Sequence, residues 1–168
     1  VGAFPARRLT NATMRTYEVE QTTDGEVLFP YHNKTGEAIA VKVRSKDKQF
    51  KVEGDWKGAM LFGQNRFQQG GKVLTLTEGE FDALAVHQMT SLPAVSVRSG
   101  AQSALSDCKA AFEWIDSFDK VVICFDNDEA GKEATKKVAE LLGSKACMFR
   151  HHNDYKDACE WLAHKSEA

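Results

Sequence analysis

The sequence predicts an α/β fold in which a doubly wound parallel sheet follows a small, mainly antiparallel β subdomain. Three observations support this prediction. From Lys72 onward, four short apolar runs alternate with four segments of helical period, as in strands joined by crossover helices. Between Tyr17 and Phe50, short alternating segments are separated by turn dipeptides. The apolar run from Val121 to Phe125 stops abruptly at a group of acidic residues.

Length and composition indicate a globular protein. The chain has 168 residues, of which 42% are hydrophobic, enough for one full core or a core with a small satellite. No apolar stretch approaches the roughly 18 residues of a membrane span, and no signal peptide opens the sequence. We therefore expect a cytoplasmic protein without a membrane partner. The four cysteines lack CxxC spacing, so buried free thiols are expected rather than a zinc site or disulfides.

Charge is distributed unevenly along the chain. Residues 1–72 carry 12 Lys and Arg against 8 Asp and Glu, a net charge of +4. Residues 73–168 carry 10 against 16, a net charge of −6. A basic module beside an acidic one would suit a polyanion held by the first and metal ions held by the second. Ordinary surface variation would give the same counts, and the counts alone favour neither explanation.

The first unit, residues 1–71, is expected to be a basic, β-rich subdomain. Its segments YEVE, EVLFPYHN, EAIAVKVRS and KQFKV alternate apolar and polar residues, with Asp-Gly and Thr-Gly dipeptides between some of them. The alternation places Lys42 and Arg44 on one strand face, and Lys48 and Lys51 follow closely. Such a face can follow a phosphate backbone or hold a triphosphate. A solvated strand face is an equally good interpretation.

The second unit, residues 72–168, is expected to hold the parallel sheet. Strands are predicted at 73–77, 94–97, 121–125 and 146–149, and helices at about 81–89, 103–116, 130–143 and 158–164. The carboxyl ends of parallel strands lie at one edge of a sheet, where open α/β sheets bind their ligands. Side chains that follow these strands should therefore converge.

Acidic side chains follow three of the four predicted strands. Glu78 comes after the first, Asp126 and Asp128 after the third, and Asp157 after the fourth. If the backbone stays extended through Asn127, the carboxylates of Asp126 and Asp128 lie side by side, since alternate side chains of a strand share a face. Like charges this close repel unless a cation lies between them. Ligands that are all oxygen favour a hard ion, Mg²⁺ or Mn²⁺.

Other interpretations stay open at these positions. A DxD sequence by itself is more often a loop whose carboxylates cap the next helix. Asp82 would be a fifth carboxylate of the site or a favourable charge near a helix N-terminus. Arg98, in the turn after the second strand, would reach the same edge or lie on an ordinary surface turn. Gly79 is expected to allow a sharp turn and close approach of a ligand.

Three ordered motifs resemble those of the Toprim domain. They are TEGEFDAL at 77–84, FDNDEAG at 125–131 and KDA at 156–158. That domain is shared by bacterial-type primases, type IA and type II topoisomerases, some nucleases and recombination proteins. Upstream, segments at 24–31, 42–51 and 61–63 are similar to the N-terminal subdomain of the primase half of phage primase-helicases and their mitochondrial Twinkle relatives. The resemblance covers nearly the whole chain from about Arg7.

The resemblance implies an RNA polymerase that makes short primers on single-stranded DNA from ribonucleoside triphosphates. Its acidic site would bind Mg²⁺ carrying the incoming nucleotide, and a 3′-hydroxyl would attack the α-phosphorus with pyrophosphate leaving. The implied metal and catalytic positions are Glu78, Asp126, Asp128 and Asp157, and Asp82 would add a further metal ligand. Contacts to triphosphate or template phosphates are implied for Lys42, Arg44, Lys48, Lys51 and Arg98.

Two departures limit what the resemblance implies. Family sequences often read KDAN or KDPN, whereas Cys159 follows Ala158 here, which leaves a polar role at that position open. Complete phage primases place a cysteine-rich zinc-binding domain before this region, and primase-helicases add a helicase domain with a GxxxxGK[ST] loop. We expect both as partner domains of a parent protein, beside the DNA template and RNA primer. The setting for a phage protein would be the cytoplasm of the infected bacterial host.

Two other functions compete with primer synthesis. A small Toprim nuclease would use the same metal ions with water as the nucleophile, although the basic upstream module argues against it. A non-catalytic, single-stranded-DNA-binding module of a replicative helicase would keep the fold without the reaction, as animal Twinkle proteins do. The intact carboxylates argue against that function. A topoisomerase is a weaker alternative because no flanking domain supplies a nucleophilic tyrosine.

Overall fold

The computed structural model describes Phe4, residues 7–151 and residues 155–165. Over these residues the chain forms two four-stranded sheets, one antiparallel and one parallel. This confirms the predicted fold class. Every helix in these ranges is too short or too polar to span a bilayer.

The antiparallel sheet comes first in the chain. Its strands are β1 (Glu20–Gln21), β2 (Val27–His32), β3 (Ala38–Arg44) and β4 (Phe50–Gly54), and they lie side by side in that order. Helix α1 (Asn11–Thr16) precedes the sheet, and the Thr10 side chain caps it by accepting a hydrogen bond from the Thr13 N–H. Gly25 and Gly36 take φ values of +84° and +85° in the turns, a conformation that favours glycine. The predicted turns and the last three segments are confirmed, but the first segment, YEVE, is mostly wrong, because Tyr17 and Glu18 lie in the turn after α1 and β1 begins only at Glu20.

The parallel sheet follows. Its strands are β5 (Gly71–Thr77), β6 (Ala94–Ser96), β7 (Phe118–Cys124) and β8 (Ala146–Met148), arranged in the order β6-β5-β7-β8. The helices are α2 (Glu80–Thr90), α3 (Ala101–Ala110), α4 (Phe112–Asp116), α5 (Glu129–Leu142) and α6 (Ala158–Lys165). Each strand therefore feeds a helix, as the alternating pattern predicts.

Helices cover both faces of the parallel sheet. Side chains of α3 and α5, including Ala104 and Val138, pack with Leu74 and Ile123 in one buried cluster. A second cluster joins α2 to β2 and to Cys159 at the start of α6. The antiparallel sheet thus packs on α2, and the two units share a core.

One predicted helix is wrong in its extent. The helix expected over 103–116 is divided, because α3 ends at Ala110 and α4 begins at Phe112. Ala111 between them has φ −102° and ψ 14°, outside the α-helical region. Ile115 after the break is fully buried in the core of the parallel sheet.

The four cysteines are free thiols. Cys108, Cys124 and Cys159 are buried, and Cys147 is half-buried. Burial raises the pKa of the Cys124 thiol to about 12, so it stays protonated at neutral pH. The prediction of buried free thiols is confirmed for these three residues.

Candidate functional site

The loop after β7 places Asp128 at the start of a helix. β7 ends at Cys124, and Asp128 is the N-cap of α5. Its Oδ1 accepts a 2.8 Å hydrogen bond from the Gly131 N–H. An N-cap carboxylate satisfies one of the unpaired N–H groups of the first turn. Asp128 therefore takes the capping role that the sequence left open.

Three other carboxylates converge beside this loop. Asp82, Asp126 and Asp157 each place one oxygen within 4.8 Å of the others. Oxygens on opposite sides of a magnesium ion are about 4.2 Å apart, since each Mg–O distance is about 2.1 Å. Small side-chain rotations would bring these three oxygens to one shared ion. The donor set is all oxygen and fits a hard divalent cation. We call these three residues the acidic cluster.

Asp82 is the most buried member of the acidic cluster. It is 8% exposed, lies in the first turn of α2, and accepts a 3.0 Å hydrogen bond from the Cys159 N–H at Oδ1. Burial, and then the Asp157 and Asp126 carboxylates, raise the pKa of Asp82 well above its usual value. A carboxylate that is buried among other carboxylates is stabilised by a nearby cation. Asp82 is thus more than a surface charge at a helix N-terminus.

Glu78 lies against the backbone of the same loop. Its Oε1 accepts a 3.3 Å hydrogen bond from the Asp126 N–H. Burial, and then the Asp126 carboxylate, raise the pKa of Glu78 to about 7. Burial, followed by the Asp157 carboxylate, also raises the pKa of Asp126. Without a metal ion, Glu78 can therefore exchange a proton near neutral pH.

Asp157 connects α6 to the acidic cluster. Its Oδ1 accepts a 2.8 Å hydrogen bond from the Glu160 N–H in the first turn of α6. The Asn127 N–H donates a 2.7 Å hydrogen bond to the Lys156 carbonyl. The loop after β7 is therefore tied to the segment before α6, which holds Asp126 and Asp157 near each other.

Two glycines leave room for the carboxylates. A Cβ at Gly131 would lie 2.1 Å from the Asp126 carbonyl oxygen and 3.0 Å from Glu78 Oε1. The chain bends at Glu78 and Gly79 between β5 and α2, as expected, but Gly79 has φ −125°, which any residue adopts, so the bend itself does not require glycine. A Cβ at Gly79 would instead lie 3.1 Å from Asp82 Oδ2. At both positions the neighbouring acidic residues lie so close that a side chain would have little or no room.

Lys42 forms a buried link between strand β3 of the antiparallel sheet and helix α2. Its Nζ donates hydrogen bonds of 2.7 Å to Glu80 Oε1 and 2.8 Å to the Arg98 carbonyl. The Tyr31 hydroxyl donates a 2.7 Å hydrogen bond to the same glutamate oxygen. The Lys42 and Glu80 side chains are only 12% and 7% exposed. Lys42 therefore positions α2 against β3.

The other predicted basic residues are placed differently. The Arg98 guanidinium is held within the fold, because Nε donates to Asp107 Oδ1 at 3.0 Å and Nη1 to the Trp56 carbonyl at 2.8 Å. Lys48 is exposed in the β3–β4 turn with φ +61°. Lys51 pairs with Val43 across the strands, so it lies on the sheet face opposite to Lys42 and Arg44.

A small cleft lies between the antiparallel sheet and the acidic cluster. Its volume is about 130 Å³. It is lined by Arg7, Phe29, Arg44, Phe50, Gly79, Glu80, Phe81, Asp82 and Asp157. Cationic and acidic side chains thus face the same space.

Sequence reasoning missed Arg7 and Glu80. The Arg7 guanidinium lies 4.2 Å from the Phe81 ring centroid, and its Nη1 donates a 3.3 Å hydrogen bond to Cys159 Sγ. Arg7 and Cys159 are 152 positions apart, and no local pattern signals such a contact. Glu80 could have been noticed in the sequence, because it is an acidic residue at the start of a helix whose following positions are mostly apolar.

Comparisons with known proteins agree with this geometry. The Toprim-like family matches residues 75–162. The DNA helicase/primase of Enterobacteria phage T3 is 39% identical over 114 residues, which are 67% of this chain and 20% of that protein. This chain therefore spans about a fifth of the length of that curated relative.

Two solved structures of bacteriophage T7 are also similar. The primase fragment of the T7 primase-helicase matches with a TM-score of 0.85 and 33% identity, over 95% of this chain and 68% of that one. T7 primase domains bound to an RNA/DNA hybrid and dTTP, in a complex with the lagging-strand DNA polymerase, match with a TM-score of 0.83 and 31% identity, over 99% and 87%. The chain belongs to the Toprim-like family and, within it, to the primase domains of phage primase-helicases.

Proposed function

We propose that the chain is the RNA polymerase domain of a DNA primase. It would synthesise short RNA primers on single-stranded DNA from ribonucleoside triphosphates by Mg²⁺-dependent nucleotidyl transfer. The observation that carries the proposal is the convergence of Asp82, Asp126 and Asp157 beside a cleft that Arg7 and Arg44 also line. The T7 primase domains bound to an RNA/DNA hybrid support the proposed template and product.

The proposal extends to the parent protein. The T3 and T7 relatives combine helicase and primase, so a helicase domain is a proposed partner. A zinc-binding domain is proposed from the family resemblance alone. The division into residues 1–71 and 72–168 stays a prediction, as does the cytoplasm of a bacterial host. The shared core between α2 and β2 leads us to expect that the two units fold together.

The acidic cluster would hold the metal ion. Asp82, Asp126 and Asp157 offer the converging oxygens, and we propose Mg²⁺ or Mn²⁺ as the ion. When bound, such an ion neutralises phosphoryl charge and orients the attacking oxygen. Glu78, which accepts a hydrogen bond from the Asp126 N–H, is proposed to act as a catalytic carboxylate beside the ion. Asp128 keeps the loop in place through the cap of α5.

The basic residues are proposed to have different roles: some bind the triphosphate, some position the cleft wall and some contact template phosphates. Arg44 and Arg7 face the cleft and are proposed to bind the triphosphate. Lys42 and Arg98 are largely engaged within the fold, so they are proposed to position the cleft wall. Lys48 and Lys51, on the exposed hairpin, are proposed to contact template phosphates.

A primer synthesis assay tests the proposal. The chain is incubated with mixed single-stranded templates, four labelled ribonucleotides and Mg²⁺. We expect short RNA products from the wild type and none from Asp126→Ala, with an unchanged circular dichroism spectrum. The matched control is Asp119→Ala, since Asp119 is an exposed acid of β7, the strand that leads to the Asp126 loop.

Each contrary outcome of the assay has a defined meaning. Shortening of a labelled DNA strand without RNA synthesis would indicate the Toprim nuclease. DNA binding with neither reaction would indicate the non-catalytic helicase module. Retained synthesis by Asp126→Ala would refute the assigned site.

A further inference from the structure

Phe50 is a large apolar side chain that the core does not bury. It begins β4 and is 54% exposed. Val52 on the same strand is 41% exposed. Both face the same side of the sheet as Lys42 and Arg44, because Arg44 pairs with Phe50 and Lys42 with Val52. This strand face is uncovered at its edge.

Two cations lie near the Phe50 ring. The Lys42 Nζ lies 5.0 Å from its centroid and the Arg44 guanidinium carbon 5.9 Å. Cations at such distances attract the electron-rich ring. Lys42 is itself fixed by Glu80 and the Arg98 carbonyl. The two cations therefore hold the Phe50 ring in place, while about half of the side chain stays exposed to solvent.

Phe50 also lines the cleft of the acidic cluster. The cleft brings Phe50 and Arg44 together with Asp82 and Asp157. Val52, although exposed on the same face, is not among its lining residues. A ligand that fills this cleft thus meets charged groups at one side and an aromatic ring at another. A nucleotide, with its phosphates and flat base, has that chemistry.

We propose that Phe50 is a stacking platform for the base of a ribonucleoside triphosphate whose phosphates enter this cleft, while the base lies on the exposed part of the ring. The inference rests on the proposed function, since it names how the nucleotide of that reaction is held. Stacking on an aromatic ring tolerates every base. A polymerase that accepts four nucleotides needs such a contact, because base identity is then read by the template alone.

Calorimetric binding of two ligands tests this inference. ATP and inorganic tripolyphosphate, each with Mg²⁺, are titrated into wild type, Phe50→Leu, Phe50→Tyr and Val52→Ala. We expect Phe50→Leu to weaken ATP binding about tenfold, the lower part of the range for loss of one base–aromatic stack. Tripolyphosphate, which lacks a base, should bind all four proteins equally. Phe50→Tyr and Val52→Ala should bind ATP as the wild type does.

Several results would overturn the inference. They are unchanged ATP binding by Phe50→Leu, an equal loss of tripolyphosphate binding, or absence of ATP binding by the wild type. If the expected binding pattern appears but the wild type makes no primers, the proposed function fails and the stacking platform stands. Phe50→Ala, with a thermal melting curve, serves as a second variant.

Discussion

Single carboxylates in the acidic cluster serve both the fold and the site. Asp157 uses Oδ1 to bind the first turn of α6, and Asp82 uses Oδ1 to bind the Cys159 N–H. Their remaining oxygens are available to a metal ion. The sequence offered both acids as candidate ligands, because one follows a predicted strand and the other begins a predicted helix. It did not predict this double use, which depends on contacts between distant segments.

Asp126→Asn should make the metal-free protein more stable at pH 8. The substitution removes one negative charge from a group of three while keeping the shape of the side chain. We expect the free energy of unfolding to rise by about 1 kcal/mol, which is the repulsion between two charges about 5 Å apart at a water-like dielectric constant. Urea unfolding with EDTA measures it. A variant less stable than wild type would show that the carboxylate is a net stabiliser of the fold.

Gly131→Ala should disturb both stability and activity. The new methyl group would overlap the Asp126 carbonyl, 2.1 Å away, and the loop would have to move. We expect a loss of about 1–3 kcal/mol, the usual cost of overpacking, and a fall in primer synthesis. Lys136→Ala, at an exposed position of the same helix, is the control for unfolding. Unchanged stability of Gly131→Ala would mean that the loop at Asp126 can move away at no cost, which would contradict the close packing described for Gly131.

At the scale of elements, local patterns predicted α2, α5 and the strands of both sheets. Their apolar periods and turn residues lie within each segment, so the signal is local. The break at Ala111 was not predictable in this way, because alanine is a strong helix former and the apolar period continues through it. The link between β3 and α2 was missed for the same reason, since Lys42 and Glu80 are 38 positions apart.

The Lys42–Glu80 link gives a prediction at this scale. Lys42→Met should destabilise the protein by about 3 kcal/mol, because it leaves a buried carboxylate without its cation. The double variant Lys42→Met with Glu80→Gln should recover more than half of that loss, since the neutral amide still accepts the Tyr31 hydrogen bond. Urea unfolding of the wild type, both single variants and the double variant measures it. Additive losses in the double variant would contradict the link.

At the scale of the whole molecule, the uneven charge of the sequence corresponds to the two walls of the cleft. The antiparallel sheet contributes Arg44, and the parallel-sheet unit contributes Asp82 and Asp157. Fold class and charge asymmetry were predictable because they are sums over many residues. The cleft itself required the packing of β2 on α2, which no segment encodes by itself.

Metal-free stability should depend on pH in a defined direction. The pKa of Glu78 is raised from 4.5 to about 7, so between these values the folded state binds more protons than the unfolded state. The free energy of unfolding should therefore fall as pH rises from about 4.5 to about 7 and level off above. Asp82 and Asp126 shift in the same direction. Saturating Mg²⁺ should reduce the fall, and thermal melting with EDTA or Mg²⁺ across this range measures it.

Binding of Mn²⁺, followed by the electron paramagnetic resonance signal of the free ion, tests the acidic cluster most directly. We predict saturable binding by the wild type and by Asp119→Asn, and strongly weakened binding by Asp82→Asn, Asp126→Asn and Asp157→Asn alike. Wild-type affinity in any one of the three cluster variants, or equal loss in Asp119→Asn, would contradict a metal centre formed by these three carboxylates.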